Sequence, residues 1–311
     1  MIDYLKSLRS SATRESYFTV LSRFFSLHPE PQSIVRRDIE EFRYQRFPDP
    51  HRKKMGELSK ATQNQRVSII SSFYRYASAY IPEGKAEPLW QKPNPANGIM
   101  LGKPEQSPKG LTPQEMELLF SQISTTSEIG LRDRAALLLI FWSSRRRSEI
   151  SDLRFGDIQP ASFPNGQGGM RQGWIFSFRG KAHKSERDSQ ELVPIVKEAI
   201  DWYLIASGRS ENIQPGDPLF TSVAHGKERP LSASTLAKRM AFYSHRVGIR
   251  ASLHTLRHTA AKARYESGED ILSIQALLRH SSLNTTYVYL KRLTGTADPG
   301  YSRLLDEYGH L

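Results

Sequence analysis

The segment that decides the fold runs from Leu253 to Leu290 and reads LHTLRHTAAKARYESGEDILSIQALLRHSSLNTTYVYL. Its apolar spacing predicts two helices, and it carries histidine, arginine and tyrosine close together. His254 and Arg257 are three residues apart and therefore share a helical face, with His258 near the same face. The segment raises the question of which chemistry uses these side chains without an acidic residue beside them.

Three interpretations of this segment are open. A zinc site would use His254 and His258, but Thr255 stands where a metalloprotease helix has glutamate, and Arg257 would repel a cation. Each histidine or tyrosine taken alone is equally consistent with packing. The third interpretation is chemistry on a phosphodiester, in which arginines stabilise charge on the phosphate oxygens, histidine moves a proton and tyrosine becomes the covalent nucleophile.

The phosphodiester interpretation requires a further arginine and an acid for the leaving oxygen. SSRRRSEI, residues 143–150, places an arginine cluster after the apolar helix predicted for LRDRAALLLIFWSS. FRGKAHKSER places Lys181 in a turn between two predicted strands, Trp174 to Phe178 and Glu191 to Ile195. A lysine there can reach a DNA groove and protonate a departing 5′ oxygen. The alternatives are a solvated arginine patch and an ordinary turn lysine.

Composition narrows the class of protein. The chain has 311 residues, which favours two domains. Its net charge of +12 and pI near 9.8 suggest a nucleic-acid partner, although a merely basic surface would give the same charge. Cysteine is absent, which excludes disulfides and thiolate metal sites. Neither a signal peptide nor a membrane helix is predicted, so we expect a cytoplasmic protein.

Short amphipathic helices are predicted up to about Tyr80. Two segments, ATRESYFTVLSRFFSL and SKATQNQRVSIISSFYRYAS, each place apolar residues on one face. These residues are Tyr17, Val20, Leu21, Phe24 and Phe25 in the first segment and Val67, Ile70, Phe73, Tyr74 and Ala77 in the second. The opposite face of the second helix either contacts DNA phosphates or is simply solvated. It carries Lys60, Gln63, Gln65, Arg66 and Arg75.

A stretch rich in proline and glycine follows, and its later part predicts a linker. We predict an N-terminal helical DNA-binding domain over residues 1–100, a linker over 101–110 and a second domain over 111–311 that includes a C-terminal tail. The second domain is predicted to open with a helix whose N-cap, first residue and capping-box partner are Thr112, Pro113 and Glu115. The remaining pattern predicts a mainly α fold with one small β-sheet.

The order Arg…Lys…His-x-x-Arg…His…Tyr resembles that of the tyrosine recombinases, the family of lambda-type integrases and Xer recombinases. HTLRHTAA resembles the family's His-x-x-Arg-His box, SSRRRSEI its first-arginine box and RGKAHKSER its lysine hairpin. LLRHSSLNTTYVYL resembles the box in which a histidine precedes the nucleophile by nine residues. By position, the resemblance implies the catalytic residues Arg146, Lys181, His254, Arg257, His280 and Tyr289, with Glu149 as an orienting carboxylate. Tyr287 would lie on another side of a helix from Tyr289, which predicts a packing role for it.

The resemblance also implies a fold and a mechanism. The fold would be a two-domain DNA clamp, with a SAM-like helical core-binding domain and a tyrosine-recombinase catalytic domain. Tyr289 would form a 3′-phosphotyrosine and release a 5′-hydroxyl, with no metal, ATP or other cofactor. A homotetramer on double-stranded DNA, assembled from a monomer or dimer in solution, would act through a Holliday junction in the nucleoid of a prokaryotic cell. The tail after Tyr289 would dock on a neighbouring protomer or pack on its own domain.

The chain departs from the family pattern at several positions. Ser143, Ser144 and Arg145 stand where the family usually has Thr-Gly-Leu, and Arg279 stands where it usually has glycine. We predict that the DNA-binding residues are Lys60, Gln63, Arg66, Arg145, Arg147 and Arg279. Two other functions stay open, a type IB topoisomerase that nicks and closes one strand and a non-catalytic DNA-binding accessory factor.

Overall fold

The computed structural model describes residues 1–8, 10–47, 57–102, 110–165, 168–179, 187–224 and 227–278. The chain divides into two compact units, Met1–Ser107 and Pro108–Leu311. The linker boundaries 101–110 stay a prediction, because most of that segment lies outside the described residues. No helix within the described ranges is long and apolar enough to cross a membrane.

The first unit is helical wherever it has regular structure in the described ranges. Its helices are α1 (Ile2–Ser7), α2 (Ser11–Leu27), α3 (Arg36–Tyr44) and α4 (Lys60–Ala79). The predicted apolar faces of α2 and α4 are confirmed, since they meet in one core with α3. Ser10 and Ser59 cap α2 and α4 by accepting a backbone hydrogen bond from the first turn.

One residue of the predicted polar face of α4 is buried. Arg66 is 7% exposed and donates to the carbonyl oxygens of Phe42, at 3.0 Å, and Gln45, at 2.5 Å. Its guanidinium also lies 5.1 Å from the ring centroid of Phe42. Arg66 therefore points inward from the polar face of α4, and its charge lies at the C-terminal end of α3. Its contact with DNA stays a prediction. Lys60 itself is exposed.

The second unit packs helices around a central apolar one. The helices are α5 (Pro113–Ser121), α6 (Glu128–Ser143), α7 (Arg147–Ser151), α8 (Pro194–Ala206), α9 (Ala233–Arg246), α10 (Leu253–Glu266) and α11 (Ile271–Leu278). Helix α6 is largely apolar and its central residues are buried, as its sequence predicts. The capping box of α5 is confirmed, with Thr112 and Glu115 each bonded to the other's backbone N–H.

Two small antiparallel sheets complete the second unit. The first has the order β1 (Ile158–Pro164), β2 (Met170–Arg179) and β3 (Arg187–Leu192), and the second pairs β4 (Thr221–Ala224) with β5 (Lys227–Pro230). The hairpin of β2 and β3 was predicted, but the extent of its second strand, Glu191 to Ile195, is wrong. Pro194 opens α8 because its fixed φ and missing N–H suit the first helical position. Strands β1, β4 and β5 were not predicted.

Candidate active site

Arg146 lies in the sharp turn between α6 and α7. Helix α6 ends at Ser143, and Ser144 takes a left-handed conformation with φ of 54° that reverses the chain. The buried carboxylate of Glu149 then accepts a hydrogen bond from the backbone N–H of Arg146 at 2.8 Å and another from its guanidinium at 3.2 Å. The Arg146 side chain keeps 39% of its area exposed. Glu149 therefore holds both the backbone and the side chain of an arginine that still faces solvent.

Helix α10 supplies the second arginine and a histidine. Ser252 caps the helix by accepting from the N–H of Thr255 at 3.2 Å. Arg257 is 5% exposed and donates to the carbonyl oxygen of Leu278, the last residue of α11. His254 lies one turn earlier on α10, and its side chain is solvent accessible. The prediction that His254 and Arg257 share a helical face agrees with the effect of the Arg257 charge on the pKa of His254.

His254 titrates in the field of both arginines. Partial burial of the ring lowers its pKa below the ordinary value, and the positive charges of Arg257 and Arg146 lower it further. The structure thus brings the α6–α7 turn and the start of α10 into one cationic site. A neutral imidazole can accept a proton near neutral pH, whereas the same positive charges oppose a bound metal cation. His258 packs its ring edge-on against His254, with centroids 4.2 Å apart.

Arg145 does not extend toward solvent with its neighbours. It is 5% exposed, its guanidinium carbon lies 4.2 Å from the ring centroid of Phe178, and its Nε donates to Gln190 Oε1 at 3.0 Å. Its charged group is enclosed against β2 and β3, and its contact with DNA stays a prediction. Arg147, the first residue of α7, is exposed, and its DNA contact stays a prediction.

Four predicted site residues fall outside the described ranges. These four residues are Lys181, Arg279, His280 and Tyr289. Tyr287 and the C-terminal tail also lie outside the described ranges. Phe178 and Gln190 were not identified from the sequence as neighbours of the site. The only signal for them is their place on the two strands that flank Lys181.

The described site combines two arginine guanidiniums, a type of group suited to binding phosphate, with a histidine whose pKa is lowered by burial and by both arginines. The sequence profile of the Phage integrase family matches residues 109–294. Tyrosine recombinase XerC of Chlamydia trachomatis serovar L2 is 32% identical over 238 residues, which is 74% of this chain and 67% of the relative. The chain belongs to the phage integrase family, and it is a tyrosine recombinase, an enzyme that breaks and rejoins DNA.

Solved structures share the fold at low identity. The XerH site-specific recombinase in a post-cleavage complex with its difH substrate matches with a TM-score of 0.64 and 19% identity, over 95% of this chain and 80% of that one. A lambda integrase tetramer bound to a Holliday junction matches with a TM-score of 0.63 and 16% identity, over 95% and 77%. The predicted class, mainly α with a small β-sheet, is confirmed.

Proposed function

We propose that this site cleaves one strand of duplex DNA by attack of the Tyr289 hydroxyl on the scissile phosphorus. Arg146 and Arg257 bind the two non-bridging oxygens and offset the negative charge that grows on them. The bond from phosphorus to the 5′ oxygen breaks while the bond to tyrosine forms. The product is a 3′-phosphotyrosine with a free 5′-hydroxyl, and the reverse step with a partner strand completes recombination.

The observation that carries the proposal is the convergence of Arg146, Arg257 and His254. The two guanidiniums come from separate elements, α10 and the α6–α7 turn, so their meeting is a property of the fold and not of local sequence. Buried Glu149 fixes Arg146, and the α11 carbonyl fixes Arg257. A cradle preorganised in this way stabilises a charged transition state without reorganising during the reaction.

Proton transfer divides between two residues in this proposal. His254, with its lowered pKa, accepts the tyrosine proton or relays it to solvent. Lys181 donates a proton to the departing 5′ oxygen, and His280 donates a hydrogen bond to the phosphate. Both residues lie outside the described ranges, so these roles rest on their positions in the family's boxes.

A covalent-adduct assay tests the proposal. The full chain is incubated with a nicked suicide duplex of its recombination site, and the denatured adduct is resolved by gel and mapped by mass spectrometry. We expect Tyr289→Phe to abolish the adduct and Tyr287→Phe to retain it. An adduct that persists in the Tyr289→Phe variant overturns the nucleophile, and relaxation of plasmid without a special site and without recombinants supports the topoisomerase alternative.

We further propose that the working assembly is a homotetramer on two DNA duplexes, as in the matched lambda integrase structure, which is a tetramer on a Holliday junction. Because the proposed substrate is duplex DNA, we expect the protein to associate with the nucleoid. Sedimentation with and without DNA tests the assembly. Deletion of residues 300–311 tests the tail, because synapsis at the wild-type level by the truncated chain would exclude docking on a neighbour.

A further inference from the structure

We propose that Arg145 is a positioning residue that holds the β2–β3 hairpin against the α6–α7 turn and so sets the position from which Lys181 delivers its proton. This inference rests on the proposed role of Lys181 as the general acid. Lys181 follows Arg179, the last residue of β2, by two positions, and β3 begins at Arg187. The two described strands therefore end two residues before the lysine and resume six residues after it.

The contacts of Arg145 reach both strands, at Phe178 one residue before the end of β2 and at Gln190 three residues after the start of β3. Its guanidinium stacks on Phe178, the penultimate residue of β2, and bonds to Gln190 of β3. Phe178 is 3% exposed and pairs with Asp188 across the hairpin. One buried side chain thus links the two strands to each other and to the turn that precedes α7.

The geometry of this link is directional. A guanidinium is planar, so stacking on a ring and donating in its own plane together fix both its tilt and its rotation. A displacement of the hairpin would break one of these contacts of a buried cation. The next residue is Arg146, held by Glu149 in the phosphate cradle. Two successive arginines therefore tie the acid-bearing hairpin and the phosphate site to one stretch of backbone.

The step that depends on this position is the departure of the 5′ oxygen. As the phosphorus–oxygen bond breaks, the Lys181 ammonium gives up a proton, the 5′-hydroxyl leaves neutral and lysine remains as the amine. A 5′-bridging sulfur leaves as a thiolate, which is a much weaker base than an alkoxide and needs no proton. Comparing oxygen and sulfur substrates therefore isolates proton delivery from binding, phosphate stabilisation and general stability.

The test measures single-turnover adduct formation on duplex pairs that differ only in oxygen or sulfur at the scissile 5′ position. Arg145→Met keeps the length of the side chain and removes the guanidinium, and Gln190→Leu removes one contact of the link. We expect Arg145→Met to slow the oxygen substrate on the order of tenfold, a fraction of what a general acid contributes, and to leave the sulfur rate unchanged. Gln190→Leu should act in the same direction and less strongly.

The matched control is Arg171→Met. Arg171 stacks on Phe163 at 4.9 Å in the same sheet, on a part of β2 that pairs with β1 and lies at the opposite end from Lys181. This variant loses a similar cation–ring contact, together with a partly exposed ion pair between Arg171 and Glu191 of β3, and should change neither rate. If Arg171→Met lowers the ratio of oxygen to sulfur rates as Arg145→Met does, the effect is a general property of the sheet and the inference is overturned.

Lys181→Met separates this inference from the proposed function. If Lys181→Met cleaves the oxygen and sulfur substrates with equally reduced rates, Lys181 is not the acid and that part of the proposed function is wrong. If Lys181→Met is rescued by sulfur but Arg145→Met slows both substrates equally, or neither, the positioning role of Arg145 is refuted. Circular dichroism first verifies folding. Should Arg145→Met fail to fold, Arg145→Lys and Gln190→Leu are judged by the same ratio.

Discussion

Ser144 is expected to limit the stability of the catalytic unit, and Ser144→Gly should raise it. Ser144 has φ of 54° and is the only non-glycine residue with positive φ in the described ranges. A left-handed conformation costs an L-residue about 1–2 kcal/mol because Cβ approaches the following carbonyl oxygen. Glycine avoids this clash, and the family usually has glycine at this position.

A second cost comes from the Ser144 hydroxyl. The side chain is fully buried, and its Oγ has no hydrogen-bond partner among the described residues. A buried hydroxyl without a partner costs about 1–3 kcal/mol. Glycine loses about 0.4–1 kcal/mol to the greater freedom of the unfolded chain and roughly 0.8 kcal/mol from removal of the Cβ. The net expectation for Ser144→Gly is a gain of about 2 kcal/mol, within bounds of roughly 0 to 4 kcal/mol set by these contributions.

For a unit of this length, such a gain raises the melting temperature by roughly 2–8 °C. Thermal and urea unfolding followed by circular dichroism measure it. Ser144→Ala isolates the contribution of the hydroxyl, because it removes the hydroxyl and keeps the conformational cost, so it should gain about 1–3 kcal/mol. A Ser144→Gly variant that melts at or below the wild-type temperature would refute the reasoning. The suicide duplex assay should still give the covalent adduct.

Three further predictions follow from other groups. The pKa of His254, measured by NMR titration, should lie below 6.5, and Arg146→Gln should raise it. Because the folded state binds this proton more weakly than the unfolded state, His254 lowers the free energy of unfolding as the pH falls below the pKa of histidine in the unfolded chain. His254→Gln should therefore reduce the dependence of the free energy of unfolding on pH in this range. Asp133→Ala should lower the free energy of unfolding, measured in urea, by about 3–5 kcal/mol, because the buried carboxylate accepts hydrogen bonds from two arginines and a tyrosine. The control Asp201→Ala should cost under about 1 kcal/mol, because Asp201 forms a partly exposed pair with Lys197. Lys60→Glu should weaken DNA binding and reduce its salt dependence without changing stability. Arg66→Met should instead lower stability by about 1–3 kcal/mol, because it removes the guanidinium donor from the Gln45 carbonyl and one of the two donors from the Phe42 carbonyl. Equal affinity of Lys60→Glu and wild type in a fluorescence anisotropy titration would mean that this face is only solvated.

Much of the fold follows from periodicity and caps. The apolar faces of α2 and α4, the capping box of α5 and the burial of α6 are local signals, and the structure retains each of them. The strands were harder to predict. β1 contains two prolines and β5 ends in one, so their sequences read as loops, and the end of β3 was misjudged because Pro194 opens a helix.

The fate of individual arginines could not be read from the sequence. Arg66 and Arg145 look like members of exposed basic clusters, yet both are buried over aromatic rings. A long side chain with a planar charged end can donate hydrogen bonds to carbonyls or to a side-chain amide that are distant in sequence. The spacing of residues along the chain does not reveal those partners. Tertiary packing decides, so counting basic residues overestimates the charge available to DNA.

The segment from Ser144 to Arg147 illustrates how one turn gives neighbouring residues different roles. The left-handed Ser144 ends α6, and the three arginines that follow then point in different directions. Arg145 turns inward to the hairpin, Arg146 is held at the site by Glu149, and Arg147 remains exposed. Because one residue contacts the hairpin, one is held by Glu149 at the proposed phosphate site and one lies on the surface, replacing all three together would mix three effects. Single substitutions, measured for stability, cleavage and binding separately, are needed to assign each role.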